Sequence, residues 1–422
     1  MKWMAVFFCL MSSISADIGW AERLQKVSSV IRMVQEGYVE AETSEDDDRL
    51  EEGAIRGILH QLGDPFTRYI PAQNYTSMQE EMEGGFGGVG ITWTREENWF
   101  RVISPMEGTP AWKAGIRAGD KIVSISDQPT KDMSMEDGSN LMKGKVGTEV
   151  RMGIVREGEP EVLSYSIKRD FIEVSSVRSG ILSTGYGYIR ITAFTATTGE
   201  DVADAVRSLE KSGDLEGLIL DLRGNPGGLL NAAVEVAQIF LPEGSLIVSI
   251  KNRQGLENRF ESEGKLHKSW PMTVLIDHGS ASASEIVAGA LKDSRRALLI
   301  GSRSFGKGSV QTVLPLGDGS AVALTTAYYY TPAGIRIHKI GIEPDVKVTF
   351  PRLSEEELKA YREELLKQNE ARIEALDQKQ QAELKGDGEA HAPEMIPISS
   401  HDQPLGRALE ILRAVSLYTH GT

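Results

Sequence analysis

Residues 273–284 read Thr-Val-Leu-Ile-Asp-His-Gly-Ser-Ala-Ser-Ala-Ser, and this stretch decides the fold, because an apolar run passes through small residues into a helical pattern. The pattern predicts a strand over 272–276 and a helix over 283–292. The same alternation extends to both sides, with strands predicted at 186–191, 218–222 and 246–250 and helices at 200–211 and 229–240. Alternating strands and helices indicate an α/β layer whose strands are buried on at least one face.

Three serines, Ser280, Ser282 and Ser284, lie at the predicted junction between strand and helix. The free N–H groups of a helix start can stabilise developing negative charge there, which favours a nucleophile. Serines at this place also cap helices without any catalytic role. Spacing alone does not distinguish among the three.

Lys307, within Ser304-Phe305-Gly306-Lys307-Gly308, is the candidate base. A serine needs a base to become a nucleophile, and a lysine serves if its amine is neutral near pH 7. Lowering its pKa from about 10.4 to about 7 costs roughly 4–5 kcal/mol, so the amine must be desolvated. Phe305 offers apolar cover, and the amide of Gln311 could orient the amine without adding charge.

Gly227 and Gly228 follow the strand predicted at 218–222 and are candidates for a second oxyanion donor, since glycine lets a backbone N–H approach a carbonyl closely. By themselves they indicate only a turn. The seven histidines show no metal-binding spacing, so neither a metal nor another cofactor is expected. His278 lies close enough to Ser282 to leave a serine–histidine alternative open.

The net charge and the N-terminal sequence indicate which partners and which compartment to expect. A formal charge of −15 argues against binding to nucleic acid. Residues 1–21 have the form of a signal peptide, with cleavage expected after Ala16 or Ala21, and the only cysteine, Cys9, lies within it. We therefore expect an exported, periplasmic protein, soluble or peripherally associated with a membrane, without thiols or disulfides.

Composition divides the remaining chain into four predicted segments. Residues 22–83 show a helical pattern, and residues 84–170 show short apolar alternations separated by turn residues. Residues 171–351 carry the α/β pattern. Residues 352–422 begin with a highly charged helix over about 355–385 and end with a helix over 404–417, and this region is a candidate for self-association.

Three blocks together resemble the carboxy-terminal processing, or tail-specific, proteases: residues 277–293, residues 304–311 and residues 221–228. The resemblance extends from about residue 22 to residue 351. It implies a crotonase-like α/β protease core with Ser282 as nucleophile, Lys307 as base and Gln311 as the residue that orients the lysine. It also implies that the backbone N–H groups of Gly228 and Ala283 form the oxyanion hole.

The same resemblance identifies the β-rich segment 84–170 as a PDZ domain. Residues 109–120 match the helix-turn-strand pattern of PDZ domains in such proteases. A glycine-rich loop is similar to the one whose amides receive the terminal carboxylate of a peptide; it comprises Gly87, Gly88, Val89, Gly90 and Ile91.

The sequence thus predicts an exported serine endopeptidase that captures proteins by an apolar C-terminus. A homo-oligomer and an adaptor protein are further expected partners. One alternative is a PDZ-based scaffold whose protease site is vestigial. Another is a trypsin-like PDZ protease, but those place the PDZ domain after the protease and carry a serine where this chain has Pro226.

Overall fold

The computed structural model describes residues 18–39, 44–96, 99–183, 185–213, 215–264, 270–348 and 402–420, with nine separate positions between 359 and 380. The predicted signal peptide lies almost entirely outside the described residues, as does most of the predicted charged helix. The chain divides into two compact units: residues 1–72 with 311–325, and residues 73–310 with 326–422.

The first unit contains helices α1 (Ile18–Gly37) and α2 (Ser44–His60) and strand β1 (Arg68–Ile70). The strand pairs antiparallel with residues 321–323. The prediction of a helical pattern up to residue 83 is wrong at this strand. The Asp64 carboxylate accepts hydrogen bonds from the N–H of Phe66 and the hydroxyl of Thr67, which turns the chain out of the helix.

The segment predicted to be a PDZ domain forms an antiparallel sheet in the second unit, preceded by helix α3 (Ala72–Glu83). The elements are β2 (Gly85–Gly88), β3 (Ile91–Glu96), β4 (Trp99–Pro105), α4 (Pro110–Lys113), β5 (Lys121–Ile125), β6 (Gln128–Pro129), α5 (Met135–Met142), β7 (Glu149–Val155), β8 (Leu163–Lys168) and β9 (Asp170–Glu173). Strands β3, β4, β5, β7 and β8 lie in that order in the sheet, β6 pairs with β5, and β2 pairs separately with β9.

The PDZ domain has its own hydrophobic core. Alternate residues of its strands point inward, among them Phe100, Ile122 and Ile154, which are fully buried. Burial of alternate positions explains the period-two pattern of this segment. Arg169, just after β8, donates to the carbonyls of Leu141 and Met142 and so caps the end of α5.

The predicted α/β core comprises β10 (Val177–Ser183), β11 (Tyr186–Ile191), α6 (Thr198–Lys211), β12 (Gly217–Asp221), α7 (Leu230–Phe240), β15 (Met272–Ile276), α8 (Ala283–Asp293), β16 (Leu298–Gly301) and β19 (Val346–Lys347). Its strands form a six-stranded sheet in the order β10, β11, β12, β15, β16, β19. All of the neighbouring pairs are parallel except β10 with β11. The central strands are buried on both faces, which explains why they read as continuous apolar runs.

The remaining strands are antiparallel: β13 (Leu246–Asn252), β14 (Glu257–Glu261), β17 (Ser309–Pro315) and β18 (Ala321–Tyr330). Within the second unit, β13 pairs with β14 and with residues 327–330. The last helix, α9 (Gln403–His420), covers the sheet face opposite α7 and α8. Its apolar residues Leu405, Leu409 and Leu412 form one buried cluster with Ile219 and Leu275.

Candidate active site

Ser282 lies between β15 and α8, as the sequence predicts, and its backbone is strained. Its φ is 56° and its ψ is −113°, a conformation that only glycine adopts without cost. Strain of this kind costs about 1–3 kcal/mol and is typical of nucleophiles on a sharp turn from strand to helix.

The other two serines of the run have structural partners. Ser280 is buried, and its hydroxyl donates to the carbonyl of Leu222 at 2.8 Å. Ser284 is buried as well, and its hydroxyl donates to the carbonyl of Asn225 at 3.0 Å. Ser282 is only partly buried. The geometry therefore leaves Ser282 as the serine whose hydroxyl a substrate could reach.

The carboxylate of Glu285, on the first turn of α8, connects the serine loop to the lysine loop. Its Oε2 accepts the N–H of Ser282 at 2.9 Å and the N–H of Lys307 at 2.8 Å. Its Oε1 accepts the N–H of Gly306 at 2.7 Å and the hydroxyl of Ser304. One carboxylate oxygen thus lies against the backbone nitrogens of both Ser282 and Lys307.

The sequence reasoning missed Glu285, although a signal was present. A serine followed three positions later by glutamate is the pattern of a capping box, in which the carboxylate binds the N–H of the N-cap residue. Glu285 is fully buried. Burial raises the pKa of its carboxyl, although the hydrogen bonds from Ser304, Gly306, Ser282 and Lys307 act to lower it.

Lys307 lies in a tight loop and is partly buried. The loop is fixed by backbone hydrogen bonds, since the carbonyl of Gly306 accepts from Lys339 and the carbonyl of Gly308 accepts from Tyr329. A side chain on Gly308 would collide with the backbone of residues 337 and 338, so glycine is required there. Phe305, expected to cover the lysine, is half exposed.

The glycine loop after β12 lies directly against the nucleophile. A Cβ atom on Gly227 would lie 2.7 Å from the Cβ of Ser282, and one on Gly228 would lie 2.1 Å from the carbonyl oxygen of Phe194. Asn225 supports the loop, since its side-chain oxygen accepts the N–H of Gly227 and its carbonyl accepts the N–H of Ala281. Glycine is therefore necessary at both positions.

Two backbone N–H groups remain available beside Ser282. Within the described part of the chain, the N–H of Gly228 and the N–H of Ala283 have no hydrogen-bond partner. Ala283 is the first residue of α8, where intrahelical acceptors are absent. The family resemblance implies these two N–H groups as the oxyanion donors, and that role stays a prediction.

Gln311 belongs to the first compact unit, whereas Ser282 and Lys307 belong to the second. Its side-chain amide donates to the hydroxyl of Thr325 at 3.0 Å, and the N–H of Thr325 donates to Thr67. The role of Gln311 as the residue that orients the lysine stays a prediction.

A buried ionic network adjoins the start of the glycine loop. Arg223 binds Asp221 and also forms two hydrogen bonds, of 2.7 and 2.9 Å, with Asp402, next to α9. Burial acts to raise the pKa of Asp221, but the hydrogen bonds and charge of Arg223 outweigh it and lower that pKa. The C-terminal helix is thereby connected to the residue that precedes Gly224.

The predicted tail-binding loop is divided between strands. Gly87 and Gly88 belong to β2, and Ile91 begins β3, which leaves Val89 and Gly90 between the two strands. The carbonyl of Val89 accepts from Ala111, and that of Gly90 accepts from Met106. Strand β3 forms one end of the PDZ sheet and, among the described residues, pairs only with β4.

The serine–histidine alternative has little support among the described residues. His278 is exposed, with its ring 5.7 Å from that of Phe305. No cluster of three or more metal-ligating side chains occurs in the part of the chain that the structure describes. None of the described helices has the length and apolar character needed to cross a bilayer.

Three family models match the chain. Residues 185–348 match peptidase family S41, residues 101–156 match a PDZ domain, and residues 11–74 match the N-terminal domain of the activating protease CtpB. The PDZ domain therefore lies between an N-terminal region and an S41 protease core, as predicted.

Curated relatives share most of this arrangement. A carboxy-terminal-processing protease of Bartonella bacilliformis is 42% identical over 78% of this chain and 76% of its own length. The carboxy-terminal processing protease CtpA of Bacillus subtilis is 37% identical over 78% and 70%. A solved structure titled photosystem II D1 C-terminal processing protease is 34% identical, covers 78% of this chain and 95% of its own, and has a TM-score of 0.46. The chain belongs to the carboxy-terminal processing proteases of peptidase family S41, which are serine-type peptidases.

Proposed function

We propose that this protease is an exported endopeptidase that cleaves peptide bonds through a dyad of Ser282 and Lys307. The observation that carries the proposal is the shared carboxylate of Glu285, which accepts the N–H groups of both residues through one oxygen. Ser280 and Ser284 have other partners, and the N–H groups of Gly228 and Ala283 bond to none of the described residues.

The proposed reaction proceeds through an acyl-enzyme. The Oγ of Ser282 attacks the scissile carbonyl while the neutral amine of Lys307 takes its proton. The N–H groups of Gly228 and Ala283 stabilise the oxyanion. Lys307 then returns the proton to the leaving amine, and a water molecule, activated by the same lysine, hydrolyses the ester. Gln311 would orient the amine through its side-chain amide.

Strand β3, which pairs with β4 alone among the described strands, supports capture of substrates by their C-termini. A peptide can extend a sheet by pairing with an unpaired edge strand, while backbone amides at the start of the strand receive its terminal carboxylate. The segment from Gly87 to Ile91 leads directly into this edge. We infer that apolar C-terminal tails of unstructured proteins bind here.

The test uses an unstructured substrate with an apolar tail and the same substrate ending in aspartates. We expect Ser282→Ala and Lys307→Ala to abolish cleavage, while the exposed control variants Ser208→Ala and Lys211→Ala leave it unchanged. Replacing the apolar tail should raise KM for the wild type. Cleavage by Ser282→Ala at the wild-type rate would exclude the dyad, and identical kinetics on both tails would exclude tail recognition.

Self-association is supported by exposed apolar residues on α1. Val30 and Met33 lie three positions apart on one side of the helix, and both are more than half exposed. We infer a homo-oligomer formed through this helix, with an adaptor protein as a further partner. Sedimentation of the wild type and of Val30→Glu should give different masses, and equal masses would refute this interface.

We further infer that the chain is exported to the periplasm, that a signal peptide within residues 1–21 is removed after Ala16 or Ala21, and that the domains occupy 22–83, 84–170, 171–351 and 352–422. The charge pattern of the N-terminus supports export. Mass spectrometry of protein recovered from the periplasm should show a new N-terminus after Ala16 or Ala21. Recovery of the uncleaved chain from the cytoplasm would refute it.

A further inference from the structure

The chain segments that enter and leave the PDZ domain both bond to one segment of the protease core, residues 192–196. On the entering side, the carbonyl of Met82 accepts the N–H of Ala196 at 2.9 Å. On the leaving side, the carbonyl of Ser176 accepts the N–H of Thr192 at 2.8 Å. Segment 192–196 therefore bonds to the chain on both sides of the PDZ domain.

The same segment holds the glycine loop of the active site. The N–H of Phe194 donates to the carbonyl of Gly227 at 2.9 Å, and the carbonyl of Phe194 accepts the N–H of Leu229 at 2.7 Å. These two bonds lie on either side of Gly228, whose own N–H faces away from Phe194. The position of Phe194 thus sets the direction of the N–H of Gly228.

Besides the bonds of Thr192 to the carbonyl of Ser176, the buried hydroxyl of Thr198 connects segment 192–196 to the chain that leaves the PDZ domain. The Oγ1 of Thr198 accepts the N–H of Thr195 at 2.8 Å and lies 2.7 Å from the hydroxyl of Ser176. It also donates to the carbonyl of Ala193 at 3.3 Å. Thr198 is fully buried, and no substrate could touch it.

Packing alone does not hold the segment in place. A cavity of about 340 Å³ lies against Thr192, Ala193 and Thr195, and its opposite wall includes Gly84, Phe86 and Val174 of the PDZ connections. Because one side of the segment faces open space, its position depends on hydrogen bonds, and those of Thr198 add to the backbone bonds of Thr192, Phe194 and Ala196.

We propose that Thr198 is a positioning residue, which couples the connection leaving the PDZ domain to the glycine loop and so orients the N–H of Gly228. The inference rests on the proposed function, since it requires that this N–H stabilise the oxyanion. Thr198 lies outside the three blocks that carry the family resemblance, and its buried hydroxyl would affect turnover through the glycine loop.

The test compares Thr198→Val, which keeps the shape but removes the hydroxyl, with Thr198→Ser, which keeps the hydroxyl. The control is Thr130→Val, since Thr130 is also fully buried and donates one hydrogen bond, of 2.6 Å, within the PDZ domain. For Thr198→Val we expect kcat to fall about tenfold with KM within twofold of the wild type, less than the roughly 10²–10³-fold loss from removing an oxyanion donor. Thr198→Ser should recover most of the loss, and Thr130→Val should leave kcat within twofold.

The outcomes separate the two proposals. A kcat for Thr198→Val within twofold of the wild type overturns the positioning role, and so does an equal loss in Thr198→Ser or Thr130→Val. If Thr198→Val does not fold, Ser176→Ala removes one partner of the same hydroxyl and should lower kcat with unchanged KM, and an unchanged kcat would overturn the proposal. Wild-type cleavage by Ser282→Ala would instead show that the proposed function itself is wrong.

Discussion

Replacing Glu285 by glutamine removes one acceptor from the carboxylate that connects Ser282 and Lys307. In the wild type, Oε2 accepts two backbone N–H groups, and Oε1 accepts the N–H of Gly306 together with the hydroxyl of Ser304. A glutamine has one carbonyl oxygen, so its NH₂ group must face one of these pairs. In either orientation at least one N–H of the site loses its acceptor.

The size of the expected loss of activity follows from the number of N–H groups left without an acceptor. A buried donor left without an acceptor costs about 1–3 kcal/mol. If the loss appears in the transition state, kcat falls about 5- to 150-fold. The free energy of unfolding should fall by less, since the variant no longer buries a charge. Activity should therefore be more sensitive than stability to Glu285→Gln.

Steady-state hydrolysis of the apolar-tailed substrate gives kcat and KM, and urea unfolding gives the stability of the same preparations. Glu257→Gln is the matched control, because Glu257 is a partly exposed carboxylate paired with Lys251 on β14 and β13. Its kcat should match the wild type. If Glu285→Gln keeps kcat within twofold of the wild type, the connecting role of this carboxylate is refuted.

Three further predictions concern the same site. Gly228→Ala should lower kcat at least 100-fold, because the new Cβ would lie 2.1 Å from the carbonyl oxygen of Phe194, and wild-type hydrolysis would contradict this. Ser282→Gly should unfold at higher urea than Ser282→Ala, by about 1 kcal/mol, because glycine relieves the strain at φ 56°, and equal midpoints would show that no strain is present. Burial raises the pKa of Glu285 in the folded state, so the folded protein binds this proton more readily than the unfolded chain. The wild type should therefore gain stability relative to Glu285→Gln as the pH falls from 7 to 4. A stability difference that is constant with pH would refute the raised pKa.

The sequence predicts the buried strands and helices of the core well, because their hydrophobic period is long and uninterrupted. The predicted bounds of β11 and β15 coincide with the structure, and α8 differs by one residue at its end. Strand β1 could not be recognised in the same way. It has three residues, and its pairing with residues 321–323 depends on a partner distant in sequence.

Sequence identifies candidate site residues whose side-chain type can react, and it does not identify residues that only hold other groups in position. The serine run with Ser282 and the loop with Lys307 are conspicuous because serine and lysine side chains can serve as a nucleophile and a base, although only the family resemblance selects Ser282 among the three serines. Glu285 and Thr198 act through backbone groups, and a buried glutamate or threonine in a helix is unremarkable in sequence. The partner of Gln311 in this structure, Thr325, lies on a neighbouring strand that local pattern does not identify.

The backbone conformations around Ser282 are mutually dependent. Ser282 has φ 56°, and Gly227, Gly228 and Gly306 have φ of 105°, 146° and 89°, so each loop is locally unfavourable or requires glycine. Each loop is held by bonds to another: Ala281 to Asn225, Phe305 to Ser280, and the lysine loop to Glu285. Loops that stabilise one another only in combination form together or not at all, because any one alone would retain its strain without its partners. A double substitution across two loops, such as Glu285→Gln with Gly228→Ala, should therefore lower the free energy of unfolding by less than the sum of the two single decreases.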